Sequence, residues 1–173
     1  FLSIDTFLIM SSGWATSAVL KKALIPCVSN ALSCLERMAS SEAVDAAIKK
    51  AFVSLDDRIL NTGRTAVEEN HGPGSPAVFA ADAAASAGSC ALLSIYSPES
   101  SVFRTAVTGD SRAILGSWNA TAGKYQAEAL SIDQTGFNQN EVKRLETAHP
   151  GEGTDMIDPK SGRLFGLAVT RAF

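Results

Sequence analysis

The chain has 173 residues, a net charge of −3, 46% apolar residues and 19% charged residues. This length is enough for one domain with a hydrophobic core, and the composition is typical of a soluble globular protein. The weakly acidic balance argues against nucleic-acid binding and provides no basic patch for a membrane surface. The apolar run at residues 7–10 is far too short to span a bilayer. We therefore expect no nucleic-acid partner and no membrane span.

Three cysteines do not make a disulfide framework, and their spacing is not that of a zinc site. Cys27 and Cys34 lie seven residues apart on one face of a predicted helix, and Cys90 lies in an apolar segment. The pattern predicts buried free thiols, and we expect an intracellular, reducing compartment.

The first half of the chain has mainly helical periodicity. Apolar residues recur every three to four positions along two long segments. Pro26 should kink the first helix or split it in two, and Ser40 or Ser41 is a candidate N-cap of the second. In chain order we predict a strand at 2–10, helices at 16–38 and 43–60, a Gly- and Pro-rich loop at 61–76 and a helix at 77–87.

The second half of the chain has mainly strand patterns, with short apolar or alternating segments separated by turn sequences. We predict strands at 89–96, 102–109, 112–118 and 125–131, a helix at 138–148, and pairing of 156–157 with 163–165 across a turn. On that helix we expect Glu141 and Lys143 to face outward. This order of elements predicts an α+β fold, with helices packed on an antiparallel sheet.

A single carboxylate stands at a glycine-tightened turn between two predicted strands, in the sequence TGDSR at 108–112. A carboxylate held rigidly at the edge of a sheet suits magnesium or manganese, because these cations prefer oxygen ligands. A Gly-Asp hairpin turn without a ligand explains the same residues. The turn by itself therefore leaves two interpretations of Asp110 open.

An ordered series of motifs extends the argument beyond this turn. The chain contains GSCALL at 88–93, GDSR at 109–112, SIDQ at 131–134, HPGE at 149–152 and LAVTRAF at 167–173. Together they resemble the metal-dependent protein serine/threonine phosphatases of the PPM (PP2C) family, and in particular its pyruvate dehydrogenase phosphatase-like branch. No single motif carries the resemblance, which rests on all five occurring in the same order.

The resemblance implies a PP2C-like β-sandwich flanked by helices, with residues 1–173 forming a single partial domain that is incomplete at both ends. It implies hydrolysis of phosphoserine and phosphothreonine proteins with a magnesium or manganese pair, which activates water and binds the phosphoryl oxygens. The implied substrate is a phosphoprotein, with a pyruvate dehydrogenase-like protein as one candidate. A mitochondrial location is implied in the same way.

The chain departs from the family at its Asp-Gly-His motif. Aligned on the Gly-Trp pair at 13–14, Ile9 occupies the family's Asp position and Ser11 its His position. Ile9 cannot bind a metal, and Ser11 cannot serve as the general acid assigned to that histidine. Asp5 lies four residues from Ile9, about 13 Å along a strand, and is no simple substitute. We therefore expect no intact catalytic residue, no metal at the main site and no activity of this chain alone.

Part of the family site survives. By resemblance, Asp110 occupies the position of a third, weaker metal. We expect Arg112 to brace the sheet, Asp133 to cap the loop before the 138–148 helix, Cys90 to belong to the core and His149 to be structural. These side chains do not by themselves make a catalytic set.

Three alternatives to an active phosphatase remain. A pseudophosphatase would keep the fold as a binding or regulatory module without its metals. Alternatively, residues 1–12 are a gene-model artefact, because the match to the family becomes good at Gly13. The third alternative is an unrelated α+β structural domain that shares the Gly-Asp-Ser-Arg turn by chance.

Overall fold

The computed structural model describes residues 3–7, 13–36, 39–69, 76–152 and 156–173. The predicted site positions Ile9 and Ser11 lie outside the described residues. The elements in chain order are β1 (Ser3–Phe7), α1 (Trp14–Ser33), α2 (Ser41–Glu69), α3 (Pro76–Ser86), β2 (Ala91–Ser97), β3 (Val102–Thr108), β4 (Ile114–Asn119), β5 (Lys124–Ala129) and α4 (Gln139–Ala148).

Three strands form an antiparallel sheet in the order β1-β2-β3. Every second residue of β2 faces the helices, because side chains alternate between the two faces of a sheet. Ala91, Leu93 and Ile95 are buried there against the apolar stripes of α1 and α2, which include Leu24 and Leu55. The predicted α+β fold is confirmed, and its core lies between this sheet and the helices.

The first helix is continuous across Pro26. The sequence predicts a kink or a break there, since proline cannot donate a backbone hydrogen bond. Instead, Leu20, Leu24 and Val28 are fully buried on both sides of Pro26. Their packing keeps the two halves in one helix, so the predicted split does not occur.

The second helix begins at Ser41, two residues before the predicted start, and ends at Glu69, nine residues after the predicted end. Ser40 caps it, accepting a hydrogen bond from the Ala43 N–H through its hydroxyl (3.2 Å). Its buried stripe runs through Leu55 and Ile59 to Gly63. The prediction of a loop over 61–69 is wrong, because packing overrides the weak helix propensity of Asn, Thr and Gly.

β4 and β5 form a separate two-stranded antiparallel sheet. Ile114, Trp118 and Tyr125 lie on one face of this hairpin and are exposed, and the rings of Trp118 and Tyr125 meet edge to face at 5.2 Å. Within the described part of the chain, this hairpin is the only strand pair outside the three-stranded sheet.

The chain after α4 returns to the start of β2. Ile157 pairs with Leu164, which confirms the predicted turn. The backbone N–H of Phe173 then donates to the Ser89 carbonyl (3.0 Å), and the Ser89 N–H donates to the Phe173 carbonyl (3.2 Å). The Phe173 ring lies 5.4 Å from that of Phe52 on α2. The last residues are thereby fastened to both layers of the fold.

The cysteines differ in burial. Cys90 is buried, Cys27 is half-buried and Cys34 is exposed, all as free thiols. The prediction of buried thiols is therefore correct for Cys90 and wrong for Cys34. Among the described residues, no helix is both long and apolar enough to cross a membrane.

Candidate functional site

Asp110 lies on a turn that requires glycine at the preceding position. Gly109 has a φ of +103°, a backbone conformation that L-residues with a side chain rarely adopt. A Cβ at Gly109 would also collide with the thiol of Cys90. Two independent constraints therefore explain the glycine before Asp110.

Gln134 holds the same turn from the opposite side. Its side-chain Oε1 accepts a hydrogen bond from the Gly109 N–H (2.8 Å), and its own backbone N–H donates to the Gly109 carbonyl (3.0 Å). The Gln134 carbonyl in turn accepts from the Thr170 N–H (2.8 Å). One residue thereby joins the GDSR turn to the LAVTRAF segment.

The thiol of Cys90 contacts the Asp110 carboxylate. Its Sγ is 3.4 Å from Asp110 Oδ1. Burial raises the pKa of the Cys90 thiol, so the thiol stays protonated near neutral pH and can donate to the carboxylate. The expectation that Cys90 belongs to the core is correct, but its contact with Asp110 could not be read from the sequence.

These contacts close a ring through four of the five motifs. The ring runs from Ser89 to Phe173, from Thr170 to Gln134, and from Gly109 and Asp110 back to Cys90. Motifs separated by up to about 80 positions thus meet at one place. The HPGE motif lies elsewhere, and its His149 Nδ1 is 3.7 Å from Glu152 Oε1 on an exposed turn.

Arg112 braces the same region through Asp133. Arg112 donates two hydrogen bonds to the Asp133 carboxylate, Nε to Oδ1 (3.0 Å) and Nη2 to Oδ2 (2.6 Å), and these bonds raise the pKa of Arg112. Arg112 therefore braces two loops, the GDSR turn and the loop before α4, whereas the sequence predicted that it braces the sheet. Asp133 does not cap α4, since that cap is Asn138, whose side chain accepts from the Asn140 N–H (3.0 Å).

Glu141 faces inward, so its predicted outward orientation is wrong. It is buried, and its carboxylate accepts hydrogen bonds from Arg171 Nη2 (2.9 Å), Arg144 Nη2 (2.9 Å) and the Thr170 hydroxyl (2.9 Å). The available signal was its spacing of four residues from the buried Leu145, which puts both on one helical face.

The surroundings of Glu141 determine its ionisation. Burial by itself would raise the pKa of this carboxyl group, but hydrogen bonds from Arg171, Arg144 and Thr170 outweigh burial and lower the pKa to about 2. Glu141 is therefore ionised throughout the neutral range. Its role is to fasten the 170–171 segment to α4.

The described residues do not fit a two-metal centre. They contain no group of three or more His, Cys, Asp or Glu side chains close enough to hold a metal ion. Asp133 and Glu141 are occupied by arginines, whereas Asp110 is exposed and offers a single carboxylate.

Comparisons with known proteins give the family of the chain. The chain matches the family described as protein phosphatase 2C over residues 15–173. It is 40% identical over 171 residues to a protein phosphatase 2C homolog of Schizosaccharomyces pombe, covering 94% of this chain and 37% of that protein. It therefore belongs to the protein phosphatase 2C family.

Two further relatives show how the match is distributed. The chain is 37% identical over 135 residues to the mitochondrial pyruvate dehydrogenase (acetyl-transferring) phosphatase 1 of Saccharomyces cerevisiae, covering 77% of this chain and 22% of that protein. It is 34% identical over 133 residues to the probable protein phosphatase 2C 61 of rice, Oryza sativa subsp. japonica, covering 75% of this chain and 32% of that protein. The chain thus spans 37% or less of the length of each of these three relatives.

Proposed function

We propose that this chain is part of a metal-dependent phosphoserine and phosphothreonine phosphatase domain, and that it has no turnover by itself. The main support for the proposal is the ring of contacts around Gly109. It fixes Asp110 on a rigid turn with its carboxylate exposed, while the carboxylates of Asp133 and Glu141 are neutralised by arginines.

The proposed lack of turnover rests on sequence positions as well as on geometry. Ile9 and Ser11 stand where the family has its metal-binding aspartate and its histidine. An alkyl side chain offers no metal ligand, and a serine hydroxyl is a poor general acid near neutral pH. Asp110 alone would hold a magnesium or manganese ion weakly, as expected of a third-metal position.

The substrate follows from the resemblance and from one relative. The Saccharomyces cerevisiae relative is named a mitochondrial pyruvate dehydrogenase phosphatase. We extend both to this chain as proposals: a phosphoprotein substrate of the pyruvate dehydrogenase type and a mitochondrial location.

Two measurements on the purified 173-residue chain test the proposal. The first is the rate of phosphate release from a phosphothreonine peptide in the presence of Mn²⁺. We expect the parent chain to release phosphate no faster than the Asp110→Asn variant. Circular dichroism shows that both chains are folded. Manganese-dependent phosphate release by the parent chain would refute the proposed lack of turnover.

The second measurement is paramagnetic broadening of backbone amide signals by Mn²⁺. We expect weak broadening centred on residues 109–111 that Asp110→Asn removes. Equal broadening of both chains would refute the metal role of Asp110 without bearing on turnover.

The second candidate function is a pseudophosphatase that binds a phosphoprotein without hydrolysing it. The observation in its favour is the combination of an intact ring at Gly109 with Ile9 and Ser11 in place of the catalytic pair. Saturable binding of a phosphorylated protein domain, with no binding of the unphosphorylated domain and no phosphate release, would support it.

A further inference from the structure

A turn of sequence SPESS, residues 97–101, joins β2 to β3. Ser97 is the last residue of β2 and pairs with Val102 at the end of the ladder. Residues 98–101 are exposed, and the Ser100 hydroxyl donates to Ser97 Oγ (2.9 Å). This end of the sheet lies away from the Asp110 turn, which follows the opposite end of β3. It carries an exposed turn rich in hydroxyl groups.

Ser97 has the backbone shape that a protein kinase requires of its substrate. Pro98 follows it, and proline disfavours helical backbone at the preceding residue. Ser97 is accordingly extended, as part of β2, whereas Ser101 has a φ of +53° and is not extended. Kinases that select proline after the acceptor serine bind their substrates as extended segments, and the last pair of a ladder opens more easily than the pairs inside it. The turn therefore presents Ser97 as a phosphate acceptor.

Arg104 lies on the same face of the sheet as Ser97. The two residues are diagonal neighbours, because Arg104 follows Val102, the partner of Ser97, by two positions on β3. Diagonal neighbours are about 7–8 Å apart, within reach of a long side chain. Arg104 now bonds the start of α2, with Nε donating to Asp45 Oδ1 (2.9 Å) and Nη2 to the Ser41 hydroxyl (2.7 Å). A phosphoserine carries a charge of about −1.5 to −2 near pH 7, so it would compete with Asp45 for this guanidinium.

We propose that Ser97 is phosphorylated by a protein kinase that selects proline after the acceptor serine, and that Arg104 receives the phosphate. ATP supplies the phosphoryl group. Ser97 Oγ gives its proton to the base of the kinase and forms the new O–P bond, while the bond between the β- and γ-phosphates breaks and ADP leaves. The phosphoserine then draws Arg104 from Asp45, which weakens the contact between β3 and the start of α2. This site does not depend on catalysis by the chain itself.

The first test incubates the folded 173-residue chain with ATP and a purified mitogen-activated protein kinase, with the free peptide of residues 95–102 as the positive control. We expect tandem mass spectrometry to find phosphate on Ser97 in both. Ser97→Ala and Pro98→Ala should abolish this modification. Ser75→Ala, which removes the other Ser-Pro pair of the sequence, should leave it unchanged. A folded chain without phosphate on Ser97 would overturn the proposal.

The second test compares the arginine Nε–H signals of the phosphorylated and unphosphorylated chains by NMR. The Arg104 signal, assigned by its loss in Arg104→Lys, should shift on phosphorylation, because the guanidinium changes its partner. Arg64, which is exposed on α2 and lies 3.7 Å from Glu68, is the control within the same spectra and should not shift. An unchanged Arg104 signal in a chain phosphorylated on Ser97 would overturn the role given to Arg104.

Discussion

Gln134 and Gly109 form a reciprocal pair, each donating a backbone N–H to an oxygen of the other, at 2.8 and 3.0 Å. The residues lie 25 positions apart, and the pair fixes the backbone immediately before Asp110. Because Gln134 also accepts from the Thr170 N–H, the position of the Asp110 carboxylate depends on the last residues of the chain.

We expect Gln134→Ala to lower the free energy of unfolding by about 1–3 kcal/mol, because it leaves the Gly109 N–H without its acceptor. Urea denaturation followed by circular dichroism measures this change. Gln126→Ala on the exposed strand β5 is the matched control and should stay within about 0.5 kcal/mol of the parent. A Gln134→Ala chain as stable as this control would contradict the role given to the pair.

Gly109→Ala should be more destabilising than Gly151→Ala. Both glycines have positive φ, +103° and +93°, so both substitutions strain the backbone by about 1–2 kcal/mol. Only at Gly109 would the new methyl group collide with Cys90, whereas Gly151 has open space around it. Overpacking costs a further ~1–3 kcal/mol.

The collision itself can be tested by removing the thiol. Cys90→Ala in the Gly109→Ala background should recover part of the lost stability, since Sγ is the nearest atom to the added methyl group. The recovery is partial because the Cys90 Cβ is also close. Equal stabilities of Gly109→Ala and Gly151→Ala in urea titrations would show that the thiol is not a constraint.

Acid should destabilise the protein through Glu141. The folded-state pKa of about 2 lies below the ordinary value of 4.5, so the ion pair stabilises the fold above pH 4.5. This stabilisation is lost as the pH falls from about 4.5 to 2, and its size is on the order of 3 kcal/mol. Unfolding free energies at pH 7 and pH 3 measure the part of this loss that occurs above pH 3.

Glu141→Gln tests the assignment, with Glu146→Gln on the exposed face of the same helix as control. The first variant should be less stable at pH 7, because Arg144 and Arg171 lose their carboxylate, and it should lose less stability between pH 7 and pH 3. The control should keep the pH dependence of the parent. A parent-like pH dependence in Glu141→Gln would assign the acid sensitivity to other carboxyl groups.

Trp118 should behave as a solvent-exposed tryptophan. Its side chain is 59% exposed on the β4–β5 hairpin, so acrylamide should quench its fluorescence efficiently. Trp14→Phe removes the other tryptophan of the chain and isolates the signal. Weak quenching in this variant would show that the apolar hairpin face is covered in solution.

Periodicity determined much of the fold from the sequence, because helical and strand patterns are local. The stripe of α2, the alternation of β2 and β3 and the turn before Leu164 all follow from spacing and turn residues. The same local reasoning failed at 61–69, where a stretch of weak helix formers continues α2 because Ile59 and Gly63 are buried.

The sequence by itself also determined the family, since five motifs occur in one order. It did not determine which motifs touch. Only the tertiary structure brought Cys90 under Asp110, placed Gln134 against Gly109 and turned Glu141 inward to Arg171. The physical reason is that these contacts join residues 20–30 positions apart on different elements, so their geometry depends on how the layers pack and not on local propensity.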